Sequence, residues 1–110
     1  PELIYNTAVE CAGELEILAI GPLTNIALTL SLYPEIKKLV KHIWIMGGAV
    51  TGGNISTTAE FNIWVDPVAA KMVFNSGIPL TMVGLDVTLR AMLNRTDVNK
   101  LREMGSSFNC

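Results

Sequence analysis

Three short apolar runs, with helical patterns filling the gaps between them, constrain this chain more than any other feature. The runs cover residues 17–20, 42–46 and 79–85. Each is short and continuous, as in strands buried on both faces. Residues 2–12 read as a helix with Leu3, Val9 and Ala12 on its apolar side, and Gly13 is placed to end it. Pro22 sits near the start of a second helix, in which Leu23, Ile26, Ala27 and Leu30 form an i, i+3, i+4, i+7 stripe. Tyr33-Pro34 breaks that helix. A short polar one over 34–40 sends Lys37, Lys38 and Lys41 outward and Ile36 and Leu39 inward. Asp66 caps another helix, Pro67 opens it and Gly77 closes it, with Ala69, Ala70, Val73 and Phe74 as its apolar face. A last helix is predicted from about Asp97 to Met104, capped by Thr96 and stopped by Gly105. The order is α, β, α, α, β, loop, α, β, α. It predicts an α/β fold, a mostly parallel, Rossmann-like sheet with helices on both faces.

In such sheets ligands bind beyond the carboxyl ends of the strands. Ile20, Met46 and Leu85-Asp86 end the three runs, so they share one rim. The long polar loop leaves from the middle run. Gly47-Gly48 stop that run where a side chain would clash, and let another group come close. A second pair follows at Gly52-Gly53. Asn54, Glu60 and Asn62 then arrive close together. If residues 60–62 are extended, Glu60 and Asn62 face one space and Phe61 points away.

Between His42 and Leu93 only Glu60, Asp66, Lys71, Asp86 and Arg90 are charged, so each needs a reason. Asp66 has one as a helix cap. Lys71 and Arg90 read as surface charges. Asp86 ends an apolar run at the rim, where it binds a ligand or accepts backbone N–H groups; the structural role is the favoured one. Glu60 alone would be a solvated loop residue, but Asn54 and Asn62 beside it favour ligand binding. His42, the single histidine, opens a strand beside Lys41 and reads as surface. Trp44 and Trp64 read most simply as core. The glycines form no G-x-G-x-x-G and no P-loop lysine follows them, which argues against a dinucleotide-binding oxidoreductase.

The net charge is −2 with no basic cluster, which argues against nucleic acid as a partner. No apolar run reaches the ~18 residues of a membrane span, and no signal peptide is visible. Cys11 and Cys110 have no metal-binding spacing and read as two reduced, buried thiols. The N-x-S/T triplets at Asn54 and Asn94 read as chance. Hydrophobic residues are 50% and charged ones 16%, against ~25% charged in a soluble domain. That ratio suits the interior of something larger. The chain opens on Pro1 and closes on Phe108-Asn109-Cys110, so residues 1–110 are expected to be an internal part of a single domain.

The ordered set Ile45-Met46-Gly47-Gly48, Gly53-Asn54, Ala59-Glu60-Phe61-Asn62 and Asp66-Pro67 resembles the inosine–uridine-preferring nucleoside hydrolases. Leu23-Thr24-Asn25 upstream and Leu85-Asp86-Val87-Thr88 downstream fit the same pattern. The resemblance covers nearly the whole chain. It implies a nucleoside-hydrolase-like partial domain that serves purine and pyrimidine salvage by hydrolysing ribonucleosides to ribose and base, through an oxocarbenium-like transition state. It implies a Ca²⁺ cofactor that grips the ribose diol and lowers the pKa of the attacking water. By that resemblance Asn54 and Glu60 hold the 5′-hydroxyl end and Asn62 another ribose oxygen. Met46 lines the sugar pocket, and Ile20 offers Ca²⁺ its backbone carbonyl. The family's aspartate-rich stretch, which supplies the general base and most metal ligands, has no counterpart here. Nor has its later His-Asp segment. No catalytic residue is therefore assigned within the 110 residues, and these residues alone are expected to be inactive. The resemblance further implies a cytoplasmic homo-oligomer, a dimer or tetramer. A non-catalytic sugar- or nucleoside-binding α/β module is the alternative.

Overall fold

The computed structural model describes residues 1–104. The expected helix stop at Gly105 and the thiol of Cys110 lie outside them. Helix α1, Glu2–Glu10, leads into strand β1, Leu15–Ala19. Helix α2, Thr24–Leu32, and a 3₁₀ turn, Pro34–Lys38, bring the chain back to β2, Val40–Met46. A loop of residues 47–60 follows. Helices α3, Phe61–Val65, and α4, Pro67–Phe74, then lead to β3, Leu80–Val83. Helices α5, Leu85–Thr88, and α6, Arg95–Glu103, complete the described chain.

The strands form one parallel sheet in the order β1-β2-β3. Parallel neighbours need a crossover, and the helical segments between the runs supply both. Ile17 pairs with Ile43, and Ile43 with Leu80. These residues carry the core. Around them pack Ala8 of α1, the α2 stripe of Ile26, Ala27 and Leu30, Ile36 of the 3₁₀ turn, and Ala69, Ala70 and Val73 of α4. The α2 stripe is as its spacing predicts, because one helical face meets one sheet face.

Several expectations change. Cover on both sheet faces is not supplied by the described residues: the core lies on one face, while Leu18 is 70% and Trp44 39% exposed on the other. Trp44 is thus no core residue; its indole N–H donates to Glu16 (2.8 Å) across the open face. Trp64, on α3, is also exposed. Phe74 faces outward at the end of α4. His42 sits on the open face, its ring tilted against that of Trp44 (centroids 4.4 Å apart) and hydrogen-bonded to Thr81 (3.0 Å), well short of the rim. Cys11 is a free, half-buried thiol. The last helix starts earlier than predicted. Asn94, not Thr96, caps it: its Oδ1 accepts from the Thr96 and Asp97 N–H groups while Asp97 accepts from the Asn94 N–H. Asp66 caps α4 as expected, accepting from the Ala69 N–H (2.9 Å), and its other oxygen takes the Thr24 hydroxyl (2.6 Å). These bonds hold the Asp66 carboxyl below the ordinary carboxylate range, with Thr24 the main cause.

Candidate functional site

The carboxyl ends of all three strands meet on one rim, and the loop 47–60 leaves from the central one. The expected geometry of residues 60–62 is wrong in detail. Glu60 itself is extended, but helix α3 begins at Phe61, so the 60/62 alternation of a strand does not apply. What gathers the polar side chains is the start of that helix. The first N–H groups of a helix have no partner within it. Here Asn54 Oδ1 takes the Phe61 N–H (2.9 Å), Glu60 Oε1 takes that of Asn62 (3.0 Å) and Glu60 Oε2 that of Ile63 (3.2 Å). The Trp64 N–H then makes the first helical bond, to the Glu60 carbonyl (2.9 Å).

Glu60 reaches further than its own helix. Its Oε2 also accepts the Gly48 N–H (3.0 Å), tying the start of the loop to its end. The side chain is 3% exposed and has no basic partner among the described residues. Three backbone N–H groups balance its charge instead. Asn62 is buried beside it, and its Nδ2 donates to the Met46 carbonyl (3.0 Å) and faces the Met46 sulfur at 3.4 Å. Met46, Asn54, Glu60 and Asn62 are therefore brought together as one hydrogen-bonded unit. Ile20 is not part of it. It lies just past β1, with its side chain 74% exposed.

Two glycines make the arrangement possible. Gly48 has φ +73°, and a Cβ there would meet the Met82 sulfur at 2.9 Å. Gly53 lies so close to the returning chain that a Cβ would fall 2.1 Å from the Ala59 carbonyl oxygen. That approach lets Gly53, Asn54 and Ile55 donate N–H bonds to the carbonyls of Thr57 and Ala59, folding 53–59 into a compact turn.

Asp86 is the structural residue that the sequence favours, but it acts on another segment. Its carboxylate accepts the N–H groups of Val50 (2.7 Å) and Thr51 (3.0 Å), and the Thr51 hydroxyl. Thr51 was missed by sequence reasoning. A hydroxyl flanking the second glycine pair was its one local signal. The Thr51 hydroxyl, followed by the two N–H groups, pushes the Asp86 carboxyl down to about 2. Folded Asp86 thus binds its proton less tightly than the unfolded chain, where the value is about 3.9. Its contribution is complete above the unfolded value and is lost as the pH falls through the folded one. Protection of the Val50 and Thr51 amides from hydrogen exchange, corrected for intrinsic rates, is expected to fall below pH 4. A flat profile down to pH 2 would show that the carboxylate holds nothing there.

Chemically, the unit retains some capacity for a ligand. The Asn54 amide N–H groups and Asn62 Oδ1 make no hydrogen bond among the described residues, and the Glu60 oxygens keep spare lone pairs. Glu60 also lines a cleft of about 420 Å³, with Gly48, Thr58, Ile63 and Trp64 among its other walls. Such a set suits a neutral polyol that donates to a carboxylate and accepts from an amide. For a hard cation it is poor. No three His, Cys, Asp or Glu side chains converge on a metal position among the described residues.

Known proteins share this arrangement of elements. The pyrimidine-specific ribonucleoside hydrolase RihA of Salmonella paratyphi B is 47% identical over 108 residues, covering 98% of this chain and 35% of that protein. A purine-preferring ribonucleoside hydrolase from Gardnerella vaginalis matches in structure with a TM-score of 0.87 at 39% identity, over 96% of this chain and 34% of that one. The inosine-uridine preferring nucleoside hydrolase of Bacillus anthracis matches with a TM-score of 0.82 at 31% identity, over 93% and 36%. The chain thus spans only 34–36% of the length of these relatives. A model of one family, described as inosine-uridine preferring nucleoside hydrolase, matches residues 1–109. With agreement along nearly all of its length, the chain belongs to the inosine-uridine preferring nucleoside hydrolase family.

Proposed function

We propose that residues 1–110 are an internal part of a single nucleoside hydrolase domain, which cleaves the N-glycosidic bond of ribonucleosides with water and releases ribose and free base. The observation that carries this reading is the convergence of Met46, Asn54, Glu60 and Asn62 where the loop 47–60 rejoins the central strand. Asn54 and Glu60 would hold the 5′-hydroxyl end of the ribose and Asn62 another of its oxygens, with Met46 against the sugar. A buried carboxylate held by fixed N–H groups needs no reorganisation as the sugar gains positive charge. Leaving-group departure builds that charge, so the interaction strengthens towards the transition state. None of the four is assigned the removal of a proton from water.

Calcium enters the proposal through one atom, the Ile20 carbonyl past the end of β1. The ion takes ~6–8 oxygen ligands, so the described residues do not fit it as a complete site. The relatives' names include both a pyrimidine-specific and a purine-preferring enzyme, and the residues proposed here contact only the sugar. A role in nucleoside salvage, a cytoplasmic location and a homo-oligomeric state belong to the same proposal.

A non-catalytic nucleoside-binding module is the second reading, favoured by the use of the Glu60 oxygens as a helix cap. Ribose release from inosine and uridine by the full-length protein decides between them. Stoichiometric release of reducing sugar and free base supports the hydrolase. Saturable nucleoside binding without cleavage, with Ca²⁺ supplied, supports the module.

A further inference from the structure

The loop that presents Asn54 is held from two directions. Glu60 holds its first turn through the Gly48 N–H, as described. The other hold comes from the far side of the sheet rim, where β3 turns into α5. There the Leu85 N–H donates to the Gly48 carbonyl (2.8 Å), and Asp86 accepts from Val50 and Thr51. These bonds fix residues 48–51, and Asn54 follows three residues later at the mouth of the 53–59 turn.

We propose that Asp86 is a positioning residue for the sugar site. By clamping Val50 and Thr51 to the end of β3, it sets where Asn54 stands relative to Glu60 and Asn62. Asp86 makes no hydrogen bond to those three side chains, so its effect passes through the backbone of 50–54. The clamp joins two segments 35 residues apart in sequence. The loop's own turn bonds close 53–59 upon itself, and Asn54 Oδ1 on the Phe61 N–H ties that unit to α3; the clamp supplies the hold on the other side of Gly52-Gly53, which neither of these reaches. A carboxylate suits the task. Its two oxygens receive two adjacent N–H groups and a hydroxyl, where an amide would turn a donor towards one of them. The low proton affinity of Asp86 keeps both oxygens available at any physiological pH.

This inference rests on the ribose-site reading, and the test separates the two. Nucleoside hydrolysis is measured in the full-length protein for Asp86→Ala, Asp86→Asn and Thr51→Val, each with and without Asn54→Ala. Glu60→Ala and Asn54→Ala alone are measured beside them, and Lys71→Ala, on the exposed side of α4, is the control. Displacement of a substrate-holding group by about 1 Å can cost a hundredfold. Asp86→Ala should accordingly lose roughly ten- to a hundredfold in kcat/KM, with Asp86→Asn and Thr51→Val progressively milder. A residue that acts through Asn54 has little left to lose once Asn54 is gone. On the Asn54→Ala background the Asp86 effect should therefore shrink to about threefold or less, a coupling that general destabilisation would not produce. If Asp86→Ala does not accumulate as folded protein, the cycles with Asp86→Asn and Thr51→Val carry the same comparison. Two results overturn the clamp and leave the sugar site standing: Asp86 variants equal to the Lys71 control while Glu60→Ala is impaired, or an Asp86 effect of full size without Asn54. If Glu60→Ala and Asn54→Ala both match the control, the ribose-site reading fails and takes the clamp with it.

Discussion

Glu60→Ala in the full-length protein is expected to lower kcat/KM for inosine and uridine by roughly ten- to a hundredfold, the loss of one charge-assisted hydrogen bond worth about 1.5–3 kcal/mol. Loss of stability comes with it. The Glu60 carboxylate holds the N–H groups of Gly48, Asn62 and Ile63, and alanine leaves all three without their partner. An orphaned buried N–H costs about 1–3 kcal/mol; water entering from the adjoining cleft offsets part of that. Glu60→Gln should be milder. Its carbonyl oxygen can serve two of the donors, but its amide N–H₂ faces the third. The effect on kcat separates the roles. A bond that tightens as the sugar flattens lowers kcat as well as raising KM, whereas loss of uniform binding raises KM alone. Steady-state hydrolysis by Glu60→Ala, Glu60→Gln, Lys71→Ala and the unmodified protein, alongside their melting temperatures, reads all of this. Catalysis by Glu60→Ala at the level of the Lys71 control would make Glu60 a helix cap and nothing more.

Gly53→Ala is expected to be nearly as damaging, for a reason unrelated to ligand chemistry. The added methyl would sit 2.1 Å from the Ala59 carbonyl oxygen and 2.4 Å from the Ala59 nitrogen. Both are backbone atoms, so no side chain can rotate away. Forcing atoms into a packed region costs about 1–3 kcal/mol, and here the relief is to open the 53–59 turn. Opening it breaks the Asn54 N–H bond to Ala59 and moves the Asn54 amide off the Phe61 N–H. The expected outcome is a melting temperature lower by a few degrees, about 2–4 °C per kcal/mol for a protein of this class, and a loss of kcat/KM comparable to that of Asn54→Ala. Gly52→Ala is the comparison, because a Cβ at Gly52 meets nothing closer than 3.8 Å. Equal activity and stability in the two alanine variants would show that the close approach at Gly53 is not required.

The sequence by itself determined the skeleton. Three apolar runs separated by helix-period stripes pointed to parallel strands joined by crossovers, and Leu23, Ile26, Ala27 and Leu30 already pointed to one buried face. Asp66-Pro67 announced the start of α4 through chemistry local to the dipeptide. The rim, with the loop leaving its central strand, followed from strand direction alone. The nearness of Asn54, Glu60 and Asn62 to that rim was legible from their spacing, though not the helix start that gathers them, and only the motifs of the family resemblance added Met46 to the set.

Tertiary structure decided how those residues are used. Helix α3 has five residues, too few to show a period, and Glu is not a favoured cap, so residues 60–62 read as strand until the fold closed around them. Beyond the near N–H groups of Asn62 and Ile63 and the Thr51 hydroxyl, the partners of Glu60 and Asp86 are backbone N–H groups 12 and 35–36 residues away, and backbone donors are the same at every position of a sequence. Asn54 and Asn94 likewise show nothing in their triplets of the N–H groups they accept. Which tryptophans are covered was settled by sheet face and helix orientation, since hydrophobicity says that a side chain gains from burial but not whether a neighbour arrives to bury it. Local periodicity fixes elements because its cause lies within a few residues. The site depends on contacts across the fold, whose identity is set only when distant backbone segments meet.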